Sequence, residues 1–426
     1  MSGMAQDIVG PSTTRPQPSE DAADRRHRGR RFALLAALGF LALCVVRVIS
    51  GADQITSSGT LSVALSATMP IALAGLGGLW SERAGIVNIG LEGQMIMGTL
   101  GAGYFGFNYG VVAGVVAAII FGMLGGVLHA IAVVYVGIDH IVSGVAINII
   151  AAGTSGFLAE SWFSDLEGGG PTQSPPLPTP WAIDVSFIAD PANSLEDKHW
   201  FLLSDLAGVV EMLTKNLSSL TVLGLVLLFG SIWLLWSTRF GLRLRSCGES
   251  PVAAESLGIN VIRYKFLACL ISGGLAGLGG GYLAMVASSG FQVGQTQNRG
   301  YIGLAAMIFG NWRPTGLFLG SGLFGYTQAL PFRQGPVSVH ALLLLVAIIL
   351  IGVTVLQVVR HHRLQAVAAA VFALIFLAWY LLTDTVPDNF TTMSPYVTTL
   401  LVLALASQRL RMPAADGQIY RKGTAG

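Results

Sequence analysis

Residues 73–140 read LAGLGGLWSERAGIVNIGLEGQMIMGTLGAGYFGFNYGVVAGVVAAIIFGMLGGVLHAIAVVYVGIDH. No charge occurs in the 46 residues between Glu92 and Asp139, which is room for two bilayer crossings at about 20 residues each. The same pattern recurs between Lys265 and Arg299 (33 residues) and between Arg363 and Asp384 (20 residues). Of the 426 residues, 53% are hydrophobic and 11% charged, against roughly 25% charged in a soluble domain. A soluble globule is excluded. The 54 glycines suit helices whose backbones meet closely in lipid. The fold expected is an all-α polytopic membrane protein of ten or eleven transmembrane segments.

Charge placement gives an expected topology. The run RRHRGRR (residues 25–31) precedes the first apolar stretch, so residues 1–31 form a cytoplasmic tail ahead of an uncleaved anchor helix. The loop of residues 237–265 carries Arg239, Arg243, Arg245, Arg263 and Lys265 against two acids and belongs inside. The loop of residues 161–216 carries eight acids against Lys198 and Lys215 and belongs outside. Five spans, near residues 33–50, 61–80, 86–108, 110–137 and 141–160, connect the two sides, and residues 217–236 return. Further spans near 266–287, 339–359, 364–382 and 394–408 leave residues 301–331 to start and finish outside. That stretch is expected as two short helices, or a re-entrant hairpin, about NWRPTG (Asn311 to Gly316). Residues 410–426 form a second cytoplasmic tail, so the membrane-embedded domain is residues 32–409.

The hexapeptide LAGLGG occurs at 73–78 and again at 275–280, followed by Trp80 and Tyr282. The pattern NxGxxGxxxM occurs from Asn88 to Met97 and from Asn298 to Met307, a constant offset of 210. By the charge topology the two copies point in opposite directions. The expectation is two inverted repeats, near residues 61–160 and 266–383, with a substrate path at their interface near the midplane.

The polar residues inside spans are few. Glu92 lies nine residues beyond Arg83, on the order of 13 Å deep. It either contacts the path or bonds its glycine-rich surroundings as an architectural group. The first reading predicts that Glu92→Gln assembles but transports poorly. The second predicts a loss of yield. Asn88, Gln94, Asn148 and Asn298 are the other pathway candidates, with helix capping or interhelical bonding as the plainer alternative. His129 reads as an interhelical histidine. In the basic loop, Ser250 and Pro251 are a helix start, and VAAESLG (Val252 to Gly258) is a short helix. It is either a solvated connection or a docking helix, with Ala253 and Ala254 as the small face entering a partner's groove.

Several chemistries are excluded. There is no GxxxxGK[ST], HExxH or GxSxG, so the chain binds no ATP by that loop and does not read as an intramembrane enzyme. Cys44, Cys247 and Cys269 are too widely spaced for a zinc site or disulfide framework. The scattered bases imply no nucleic-acid partner.

Three stretches carry a resemblance: GGLWSERAGIVNIGLEGQMIMG (Gly77 to Gly98), CGESPVAAESLGINVIRYK (Cys247 to Lys265) and NRGYIGLAAMIFGNWRPTG (Asn298 to Gly316). Together they resemble bacterial ABC-importer permeases of the branched-chain amino acid, ribose and nucleoside type. SERAGIVNIGLEG is most similar to the second permease of nucleoside importers served by a lipoprotein of the basic membrane protein family. The resemblance covers residues 60–405. It implies a transport subunit without a cofactor of its own in the bacterial cytoplasmic membrane, and a nucleoside as cargo, with a pentose or other simple sugar as the alternative. It also implies a second homologous permease, an ABC ATPase that binds ATP and Mg, and an extracytoplasmic lipoprotein binding protein. Glu249, Ser250, Pro251, Ala253, Ala254, Glu255 and Gly258 fall on the coupling segment, although Val252 stands where a glutamate is usual. An ion-coupled secondary transporter is the competing class.

Overall fold

The computed structural model describes residue 34 and residues 37–423, apart from 334, 388, 392, 395–396 and 398–409. The tail of residues 1–31 and most of the span expected near 394–408 lie outside the described residues. Among those described, seven helices are long and apolar enough to cross a membrane. They are α2 (Ser58–Arg83), α4 (Val111–Ala130, extended by a wide turn to Val136), α5 (His140–Phe163), α8 (Ser219–Ser237), α11 (Val261–Tyr282, extended likewise to Ala287), α14 (Gly335–Val359) and α15 (Arg363–Leu382). Shorter or more polar helices join them: α1 (Ala37–Ser50), α3 (Leu91–Tyr109), α12 (Arg299–Phe309) and α13 (Pro314–Ala329). The protein is an all-α, multi-pass membrane protein.

Three of the spans, α2, α5 and α8, start at capping side chains, which satisfy amides that lipid would leave bare. Ser57 caps α2 through Thr60 N, Asp139 caps α5 through Ile141 and Val142 N, and Ser218 caps α8 through Leu220 N. Gly110, with φ +87°, lets α3 turn directly into α4. Around NWRPTG the chain forms two short helices, with Pro314 opening the second.

Between α5 and α8 lie α6 (Ser186–Glu196), α7 (Leu203–Thr214) and a two-stranded ribbon, β1 (Ala182–Ile183) with β2 (Leu217–Ser218). This is the acidic end of the bundle. At the opposite, basic end lie α9 (Arg239–Glu249) and α10 (Pro251–Ser256).

The core is a crossing of α2 and α11. An added methyl on Gly77 would overlap the Ser272 backbone and one on Gly279 would crowd the Pro70 backbone. Residue numbers rise along α2 as they fall along α11, so the helices run antiparallel. Each LAGLGG stretch also packs on the broken helix of the other half. Gly75 meets the Gly303 backbone on α12, and Gly280 meets Met95 on α3. Small residues permit these backbone contacts.

One span differs from expectation. Residues 86–108 were to be a single crossing, but the helix begins only at Leu91, and residues 84–90 form an irregular connection. Gly85 takes φ +81°, and side chains meet the freed backbone groups. The Val87 amide donates to His140 Nδ1 (3.3 Å), and the Val87 carbonyl lies 3.1 Å from His129 Nε2. Non-helical backbone between membrane helices needs such partners for its freed groups.

Candidate functional site

The first turns of α3 and α12 meet inside the bundle. Glu92, in the first turn of α3, accepts from Thr296 Oγ1 (2.6 Å) and Asn298 N (3.0 Å) at Oε1, and from Gly300 N (2.7 Å) at Oε2. It caps α12 across more than 200 residues of sequence. The positive end of the α12 dipole is met by the chain's own carboxylate. Asn298 takes a left-handed backbone conformation, φ +64°, before the helix starts.

A second group surrounds Asn88, which is wholly buried. Its Nδ2 donates to Gln94 Oε1 (3.0 Å) and to Ser272 Oγ of α11 (2.9 Å), and its Oδ1 accepts from Gly90 N (3.0 Å). Gln94 is equally buried, with no hydrogen-bond partner for its Nε2. Asn148 joins the groups from α5. It accepts from Gly93 N (2.7 Å) and donates to Ile89 O (3.0 Å) and Tyr301 Oη (2.7 Å). All five pathway candidates thus belong to one polar layer. Asn148 stands eight residues into α5 from His140, on the order of 12 Å from the basic end. His129 bridges Val87 O and Ser143 Oγ.

The layer reaches the surface at one edge. Tyr301 is exposed and Asn148 half-buried, and the approach to α12 exposes Gln292, Gln297 and Asn298. A polar edge at this depth must face water or another protein rather than lipid.

A model of the branched-chain amino acid transport system permease component matches residues 60–354. The chain belongs to that permease family. It is 32% identical to the nucleoside ABC transporter permease NupC of Lactococcus lactis, over 83% of this chain and 93% of that protein. It is 30% identical to the guanosine ABC transporter permease NupQ of Bacillus subtilis, over 85% and 98%. To the putative glucose ABC transporter permease TsgC13 of Haloferax volcanii it is 27% identical, over 66% and 79%. No solved structure matches the chain.

In this permease the basic end brings together sequence-distant motifs. Trp312 donates its indole N–H to Glu82, and its carbonyl accepts from Arg83 Nη2 (2.6 Å). SERAG and NWRPTG are therefore one unit. Beside them α10 starts as expected, with Ser250 as N-cap and Pro251 at its first position, and ends near Gly258, φ +79°. Ala253 is exposed, whereas Ala254 is 1% exposed and packed beneath the chain. The small face expected from the pair is thus presented by Ala253 alone, with Val252, Ser256 and Leu257 beside it.

Residues 410–423, expected as a plain cytoplasmic tail, instead pack against this end through Tyr420. Tyr420 packs in the cluster of Cys247, Ala254 and Val261, and its hydroxyl donates to Glu255 (2.6 Å). Ala415 N donates to Gly248 O (2.9 Å), Ala414 N to Glu249 (3.3 Å) and Arg411 N to Asn311 Oδ1 (2.8 Å). Glu249 and Glu255 hold this strap. No periodicity or capping signal foretold it.

Proposed function

We propose that the permease is one of two homologous membrane subunits of an ATP-driven importer and that its cargo is a nucleoside. The two relatives named for nucleoside and guanosine transport, matched over 93% and 98% of their lengths, carry the substrate class. The polar layer is consistent with a neutral solute. Its one carboxylate, Glu92, is already spent on α12, so the path offers hydrogen bonds rather than net charge. The same engagement disfavours Glu92 as an ion-coupling group.

The halves work as inverted repeats in this reading. The antiparallel crossing of α2 and α11 and the exchanged packing on α3 and α12 support it, with the exposed edge at Asn148, Tyr301 and Asn298 lining a path against the second subunit. The basic end is cytoplasmic, and an ABC ATPase holding ATP and Mg seats on α9 and α10. An extracytoplasmic lipoprotein delivers cargo at the acidic end. A simple sugar is the second reading, favoured by the putative glucose permease among the relatives.

The test is uptake by the assembled transporter in vesicles. ATP-dependent accumulation of labelled guanosine, displaced by other nucleosides but not by ribose or glucose, is the expected result. Displacement by the sugar alone would move the cargo to the second reading.

A further inference from the structure

Helix α7 is built inside out for a water-facing helix. Its buried side carries Ser204, Asp205, Ala207, Gly208 and Glu211. From residue 200 to 213 every exposed position is apolar: Trp200, Phe201, Leu203, Leu206, Val210 and Leu213. The spacing of three, four and three from Leu203 onward draws one stripe down the helix. A soluble connection would show the reverse pattern.

Both ends of α7 are tied to the ends of spans. At its start, Asp205 forms an ion pair with Arg47 of α1 (3.2 Å) and accepts from Thr56 Oγ1 (2.5 Å), just before α2. Arg47 Nη2 also donates to the carbonyls of His199 and Trp200 (3.4 Å each). At its finish, Val185 N donates to Thr214 O (2.8 Å), and Ser219 N, opening α8, donates to Trp181 O (2.8 Å). Helix α7 is thus fixed between the last turn of α1 and the starts of α2 and α8.

We infer that α7 is an interfacial anchor whose Leu203, Leu206, Val210 and Leu213 stripe enters the lipid leaflet at the acidic end. Three observations favour lipid over a protein partner. The element to which α7 is tied also shows apolar residues outward, Val48 and Ile49 of α1 being exposed beside the buried Arg47. Trp200 and Phe201 at its head are the residue types that settle at the headgroup level. The charges are sorted to match: both acids of α7 are buried, with Lys215 paired to Glu211 (2.7 Å) and Lys198 lying over the Trp200 ring (5.0 Å), so the exposed stripe carries no acid. This inference rests on membrane embedding and not on the nature of the cargo.

The test uses the assembled transporter in phosphatidylcholine–phosphatidylglycerol vesicles. Single cysteines at Leu206 and Val210 carry nitroxide labels, the native cysteines being buried. Accessibility to oxygen and to a water-soluble nickel chelate is read against Val226 on α8 and Thr179 in the exposed loop. Oxygen accessibility exceeding that of nickel at both α7 positions, as at Val226 and opposite to Thr179, is expected. Nickel accessibility exceeding that of oxygen would overturn the proposal in favour of a water-exposed face. Exclusion of both reagents would overturn it in favour of a protein partner.

Discussion

Glu92 shows why a carboxylate and its amide are not equivalent inside a membrane. All three of its bonds are acceptor bonds, and a glutamine would turn its amide group toward either Gly300 N or the Thr296–Asn298 pair. An unmet buried donor costs about 1–3 kcal/mol. We therefore expect Glu92→Gln to lower the yield of extracted complex and uptake together, checked by measuring both on the same membranes. Normal yield with lost uptake would instead give the charge itself a role in transport. The sequence marked Glu92 as a carboxylate within a span but could not choose between these readings, because its partners lie more than 200 residues away. It also treated Asn88 and Asn298 as equivalent, whereas Asn88 is a buried three-bonded side chain and Asn298 an exposed residue ahead of α12.

At the level of elements, glycine decides where helices touch. A methyl on Gly280 would overlap the Met95 carbonyl, whereas one on Gly230 of α8 meets nothing. Gly280→Ala should cost about 1–3 kcal/mol of strain and depress yield, while Gly230→Ala leaves it unchanged. Thermal stability of the extracted protein measures both. The alanines of α10 separate in the same way. Ala253→Trp on the exposed side should leave the protein assembled but uncoupled, so that cargo no longer stimulates ATP hydrolysis. Ala254→Trp, beneath Tyr420, should reduce yield. Equal effects from the two substitutions would contradict the assigned faces. Long apolar helices and the turn at NWRPTG could be read from composition and proline. The connection of residues 84–90 could not, since its backbone is held by His129 and His140 from other helices. Nor could the reversed faces of α7, since the Arg47 and Thr56 that meet the buried Asp205 lie about 150 residues away in sequence.

For the whole molecule, orientation follows from sidedness of labelling. Ser174, the natural choice in the acidic loop, is buried and accepts from Phe291 N, so Thr179 is the better site. A cysteine there should react with an impermeant maleimide on intact cells, and one at Ser256 only after permeabilisation. The reverse pattern would invert the protein. The strap of residues 410–423 should also respond to pH. Burial pushes the Asp416 carboxyl from 3.8 up to about 7, against the opposing pull of a bond to Glu82 and of the Lys265 and Arg83 charges. The docked strap then holds a proton that a free one releases, so docking weakens as pH rises from about 4 to 7. A spin label at Met412 should grow more mobile over that interval, and Asp416→Asn should abolish the trend. Mobility unaffected by pH in the unsubstituted strap would remove Asp416 from its control.

The strap also sets an order of events during synthesis. Its partners, Glu249, Glu255, Ala254 and Asn311, leave the ribosome at least 100 residues before Arg411 and Tyr420 reach them. Ala254 stays uncovered and Glu255 unbonded to Tyr420 until residue 420 emerges. The surface at the basic end is therefore finished only after α1 to α15 have been made, and a chain broken off after α15 would present an incomplete face there.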